Sequence, residues 1–109
     1  WNQAPELEIL SSGYSGGDYH KDEKCYILQS DGRSNLLSIR IKASADATLV
    51  NPTFQIKNNG MAAIKLRLNK QELKEGKDYF LGRVDRLEGQ NILIYLKGIY
   101  KQEVNISLL

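Results

Sequence analysis

Between residues 37 and 43, Leu37, Ile39, Ile41 and Ala43 alternate with Ser38, Arg40 and Lys42. Side chains in an extended chain point to opposite faces in turn, so this run predicts a strand with one face in a core and one in water. The same period recurs at Phe54 and Ile56 against Gln55 and Lys57. It returns at Ile64, Leu66 and Leu68 against Lys65, Arg67 and Asn69, and at Val104, Ile106 and Leu108 near the end. Residues 7–10, 24–29, 71–73 and 78–86 read as further strands, with Gly82 as a bulge. Residues 92–96 are apolar on both sides, which predicts a central strand covered on both faces. No stretch carries a helical period. Residues 70–75 have helical composition, but Gly76 and the short span argue against a helix.

Turn chemistry separates these runs. Residues 11–17 (Ser-Ser-Gly-Tyr-Ser-Gly-Gly) predict a long loop that continues through the polar residues 18–23. Asp31-Gly32 and Asn58-Asn-Gly60 are hairpin signals, because such pairs accept positive φ. Asn69-Lys70 turns the chain again, residues 88–91 form another turn, and residues 44–51 and 97–102 are connections. Pro52 has no amide hydrogen to give a ladder, so it marks a strand start. Together these runs predict roughly nine short strands in an all-β, antiparallel two-sheet β-sandwich, immunoglobulin-like or jelly-roll-like. The 109 residues suit a single domain, 1–109, with 1–5 as a tether from a preceding domain. The start at Trp1 rather than Met suggests a processed product or a piece of a longer protein, with Trp1 packing on that neighbour or on this domain.

Charge narrows the function. Fifteen basic and thirteen acidic side chains give a formal charge of +2, interspersed as in Arg83-Val-Asp-Arg86. The basic patch of a nucleic-acid binder is missing, and no apolar run is long enough for a membrane helix. Cys25 is the single cysteine and cannot form an intramolecular disulfide; in a strand it reads as a buried, inert thiol. His20 is the only histidine, and no second base or strained turn accompanies the two as a nucleophile site would require.

Acid–base catalysis needs two carboxylates converging on one pocket. Asp22-Glu23 point apart if extended, and Glu72 and Glu75 lie on a hairpin rim, so both pairs read as solvated surface. Asp18, Asp22 and Glu23 could offer oxygens to calcium, but their spacing matches no calcium loop. No cofactor motif is present: the glycines of residues 12–17 are followed by no helix that could cradle a phosphate. Aromatic residues are the remaining lead. Tyr14, Tyr19 and His20 share the predicted loop, where flat rings could stack on the C–H faces of a glycan. The plainer reading folds both tyrosines back over the sheet edge with their hydroxyls in water.

The segments Val50-Asn-Pro-Thr-Phe-Gln-Ile-Lys-Asn-Asn-Gly60, Leu68-Asn-Lys-Gln-Glu-Leu-Lys-Glu-Gly-Lys-Asp-Tyr79 and Leu87-Glu-Gly-Gln-Asn-Ile-Leu-Ile-Tyr-Leu96 carry a resemblance. They resemble the C-terminal β-sandwich accessory domains of secreted bacterial polysaccharide-degrading enzymes and related uncharacterised proteins, over roughly residues 50–109. The resemblance implies a non-catalytic domain of a carbohydrate-processing protein, extracellular or periplasmic, that packs on and stabilises a neighbouring domain. It supplies no catalytic residue. The rivals are a carbohydrate-binding module using Tyr14, Tyr19 and His20, and a small enzyme whose site the residue types do not reveal. An exposed aromatic cluster beside polar groups would favour the first rival, and a deep pocket with convergent titratable groups the second.

Overall fold

The structure is a computed structural model that describes residues 4–33, 36–59, 64–86 and 89–109. It is all-β, with twelve strands among the described residues. In chain order these are β1 (Leu7–Ile9), β2 (Tyr14–His20), β3 (Cys25–Ser30), β4 (Leu37–Ile41), β5 (Leu49–Val50), β6 (Thr53–Lys57), β7 (Leu66–Leu68), β8 (Gln71–Glu72), β9 (Tyr79–Arg86), β10 (Gly89–Leu96), β11 (Ile99–Tyr100) and β12 (Val104–Leu108). They form a five-stranded sheet in the order β1-β4-β12-β7-β8, a second in the order β2-β3-β6-β10-β9, and a small β11-β5 pair.

The alternating runs do what their period demands. In β4 and β12 every second residue is buried, and the register sets Ile106 beside Ile39 and Leu108 between Leu37 and Leu66. The second sheet answers with a row running Tyr26, Phe54, Ile94 and Leu81 across four strands. Leu28, Leu37, Ile39, Phe54, Leu66 and Ile106, from both sheets, line one shared interior cavity of about 10 Å³. That is at the lower limit for a single water molecule, so the interior is closed by side chains alone. Full burial of each such side chain contributes about 1.5–3 kcal/mol.

Several sequence expectations need correction. Among the described residues there are twelve strands rather than nine, because the connections 44–51 and 97–102 each contain half of the β5–β11 pair and β2 forms where a loop was expected. Asn51 joins the two: its amide donates to the Gly98 carbonyl at 2.7 Å and its Oδ1 accepts from the Gly98 amide at 2.8 Å. The second sheet is mixed rather than antiparallel, since β3 and β6 run parallel with Tyr26 beside Phe54. Asp31-Gly32 is not a hairpin: β3 and β4 lie in different sheets, so the turn carries the chain across the core. Asn58 has the expected positive φ of 60°, but the strand after it is again in the other sheet. Gly82 makes no bulge; β9 and β10 pair without interruption from Tyr79 to Arg86. β10 begins at Gly89, inside the expected 88–91 turn, and its outer face is open. Asn69-Lys70 is a turn as expected, with φ of 48° and 72°, and it joins β7 to β8.

The largest correction concerns residues 11–23. Tyr14 to His20 form the edge strand β2, paired to β3 with a register shift between Gly16 and Tyr19. Gly17 shows why glycine is needed there. Its φ is +99°, and a Cβ would lie 2.9 Å from Leu7 Cδ2. Leu7 of β1 thereby packs directly over the backbone of β2, and the two sheets close on each other along this side. Of the residues 1–5 expected as a tether, residues 1–3, with Trp1, lie outside the described residues. Pro5 is buried, and its carbonyl accepts a 2.5 Å hydrogen bond from the Tyr26 hydroxyl.

Candidate functional site

The three ligand candidates, Tyr14, Tyr19 and His20, lie on one strand but form no common platform. Tyr14 sits opposite Ser30 and Tyr19 opposite Tyr26, so β3 separates them by about 13 Å at 3.3 Å per residue. Tyr14 is half-buried against the core. Burial raises its phenol pKa, the Asp31 carboxylate adds to the rise, and hydrogen bonds with the Asn59 and Ser30 side chains oppose it. This is a packed, structural tyrosine. His20 is exposed and pairs across the ladder with Cys25.

Tyr19 is different. It is 39% exposed, and its ring meets Tyr26 edge to face at a centroid distance of 5.1 Å. Tyr26 in turn stacks on Phe54 at 5.5 Å. Tyr19 therefore stands on a rigid aromatic column whose base is in the core. Beside it runs an open groove of about 230 Å³, lined also by Pro5, Lys24, Val50, Asn51 and Thr53. Apart from Tyr19, sequence reasoning missed these residues. The wall around Val50 and Asn51 depends on the β5–β11 pair, whose two-residue strands leave no periodicity to read.

A second feature lies on the outer face of the β9–β10 hairpin. Phe80 and Tyr95 are directly opposite, with ring centroids 6.2 Å apart, and Leu93 follows two residues along the same face. These three side chains are 48%, 41% and 37% exposed. Leu93 faces Gly82, which has no side chain to cover it, while Thr53 and Gln55 of β6 border the row on the other flank. The result is an apolar strip with a polar margin on the outer face of the second sheet.

The carboxylates weighed above as acid–base or calcium candidates lie on exposed positions of separate elements, while Glu8 and Glu103 both meet Arg40 at the surface, at 3.0 Å and 3.4 Å. Asp22 and Glu23 are exposed in the turn between β2 and β3, and Asp18 is exposed on β2. Glu72 and Glu75 are exposed near the β7–β8 hairpin. No group of three or more His, Cys, Asp or Glu that could hold a metal ion occurs among the described residues. Cys25 is buried, and desolvation, reinforced by the Glu23 carboxylate, raises its thiol pKa. It is held as a thiol, the unreactive form, although His20 is its cross-strand neighbour. No helix of the described residues is long and apolar enough to cross a membrane.

No protein-family model, no curated protein and no solved structure matches this chain.

Proposed function

We propose that this chain is a non-catalytic accessory domain of a larger, secreted carbohydrate-processing protein, and that it packs on and stabilises a neighbouring domain of the same polypeptide through the outer face of β9–β10. In this reading the two five-stranded sheets are the halves of one β-sandwich of the immunoglobulin-like or jelly-roll-like kind, with residues 1–109 as a single domain. The observation that carries it is the exposed row Phe80, Tyr95 and Leu93. The sequence of residues 92–96 is apolar enough for a strand covered on both faces, and the chain alone covers only one. Covering the remaining half of each of these side chains is worth about 1 kcal/mol apiece at ~25 cal/mol per Å². A contiguous apolar strip with a polar rim is the usual mark of an interaction surface. The resemblance of residues 50–109 to accessory domains supplies the neighbour and an extracellular or periplasmic setting.

Hydroxyl-radical footprinting of the whole protein and of the chain alone tests this. Phe80, Leu93 and Tyr95 should be modified in the chain alone and protected in the whole protein. Equal modification in both would overturn the proposal.

A second reading rests on Tyr19. Its supported, half-exposed ring beside Lys24, Asn51 and Thr53 has the form of a shallow glycan subsite, an aromatic face with hydroxyl-binding groups around it. Calorimetric titration with polysaccharide fragments distinguishes it. Binding that is lost in Tyr19→Ala but kept in Tyr14→Ala supports a glycan site centred on the groove. No binding, or binding indifferent to Tyr19→Ala, removes it.

A further inference from the structure

The outer face of the first sheet carries a trough. β12 runs through the middle of that sheet, and its outward residues Asn105 and Ser107, continued by Leu109, form the floor. The floor is about 13 Å long at about 3.3 Å per residue. Ser38 of β4, opposite Ser107, widens it. Arg67 of β7, opposite Ser107 on the other flank, and Lys70 form the wall. The serines are short and the cations long, which leaves an open space of about 510 Å³.

The wall is fixed in place. Asn69 is fastened to β12 twice: its amide donates to the Asn105 carbonyl at 2.8 Å, and its Oδ1 accepts from the Asn105 amide at 2.9 Å. The turn that carries Lys70 is thereby pinned beside the floor. Arg67 and Lys70 are exposed, and neither enters an ion pair among the described residues. Lys65, two residues before Arg67 and so on the same face, adds a third exposed cation. Arg40, the arginine of the neighbouring row, is by contrast taken by Glu8 and Glu103. Among the described residues no carboxylate lines the trough; Glu72 stands outside it, opposite Arg67 on β8.

We propose that this trough binds an acidic oligosaccharide, with a carboxylate or sulfate ester held between Arg67 and Lys70. The planar guanidinium takes two oxygens of one such group, and the ammonium adds a point charge. Serine hydroxyls and the asparagine amide both donate and accept, as sugar hydroxyls do, so Ser38, Ser107 and Asn105 suit the rest of the ring. An extended acidic peptide is a poorer fit. Its backbone pairs with an open strand edge, and the floor is a central strand with neighbours on both sides. The two sheets turn their buried sides to a common interior, so the trough lies on the far side from Phe80 and Tyr95 and stays open when that strip is covered. The ligand class rests on the carbohydrate-processing reading above; the site does not depend on the packing surface. A shallow trough buries little of its ligand, so the dissociation constant is about 0.1–1 mM and rises with added salt.

Nuclear magnetic resonance titration of the chain tests this. The acidic probes are tetragalacturonate and a sulfated galactan tetramer; the controls are methyl-esterified tetragalacturonate, inorganic sulfate and a tetraglutamate peptide. At least one acidic sugar should shift the amide signals of Ser38, Asn105 and Ser107, and which of the two binds tells carboxylate from sulfate ester. Arg67→Ala should weaken binding at least about tenfold and Arg67→Lys less, since the lysine keeps the charge but not the fork. Glu72→Gln should tighten it about twofold by removing a competing charge. Lys97→Ala, a cation outside the trough, should change nothing. These positions are exposed, and an unchanged circular dichroism spectrum confirms that each variant folds. Binding of neither acidic sugar, binding of any control as tight as theirs, or indifference to Arg67→Ala would overturn the proposal. Acidic-sugar binding lost in Tyr19→Ala but kept in Arg67→Ala would also overturn it, while leaving the Tyr19 groove standing. Failure of the footprinting at Phe80 would remove the packing surface and leave this site intact.

Discussion

Tyr26 and Pro5 are twenty-one residues apart in the chain and joined by a 2.5 Å hydrogen bond, phenol hydroxyl to backbone carbonyl. The contact fastens the segment before β1, in the first sheet, to β3 in the second. It also defines the environment of the phenol. Burial, with a smaller contribution from Tyr19, holds the Tyr26 pKa well above the usual tyrosine range.

A raised phenol pKa means that folding favours the neutral form. The stability from Tyr26 is complete below the unfolded tyrosine pKa of about 10 and is lost as pH rises above it toward the folded value. Tyr14, Tyr79 and Tyr100 are raised by burial in the same direction. Thermal melts should therefore be flat from pH 7 to about 10 and fall steeply above that. Tyr26→Phe should cost about 1–2 kcal/mol at pH 7, because the Pro5 carbonyl loses its donor, and should make the alkaline fall shallower. An unchanged slope in that variant would show that Tyr26 is not the group responsible.

Core substitutions should separate the two faces of the strands. Ile39, Leu66 and Ile94 are each no more than 2% exposed and lie in both sheets. Replacing any one by Ala should cost about 2–5 kcal/mol in chemical denaturation, from lost burial plus the cavity left behind. Lys65→Ala, at an exposed position, should stay within about 0.5 kcal/mol.

Gly17→Ala should be destabilising by about 1–3 kcal/mol, through its positive φ together with the clash against Leu7. A paired Leu7→Ala change removes the clash but not the backbone strain. It should recover only part of the loss, measured as a shift in denaturant midpoint.

Cys25 should react slowly with a thiol reagent in the native protein and quickly once unfolded, since it is buried and its pKa is raised. Fast labelling of the native protein would mean an exposed thiol at the start of β3.

The strands that could be read directly are those in which burial and period coincide. β4, β6 and β12 each place apolar residues at every second position and are buried there, and in β7 Leu66 is buried while Leu68 is half-buried. β2 could not be read this way. Its glycines look like a loop, yet Gly16 and Gly17 are there because the strand bends sharply and Leu7 crosses it. The turns at Asp31 and Asn58 have the right local chemistry, but that chemistry specifies a reversal of the chain and not the sheet in which it resumes. Parallel pairing of β3 with β6 leaves no local trace. The candidate site was half legible for the same reason. Tyr19 stands out as an aromatic among polar residues, whereas the wall that completes its groove comes from residues 48–53, brought beside it only by the fold.

The strand order has a consequence for synthesis. β12 is the last of the described strands and the middle strand of the first sheet, between β4 and β7. During translation β4 and β7 each emerge with no neighbour on that side, and Leu37, Ile39 and Leu66 stay uncovered there until residues 104–108 leave the ribosome. The first sheet cannot assemble progressively from its N-terminal strands. Its completion waits for residues 104–108, and a nascent chain stalled before Val104 displays two unpaired strand edges.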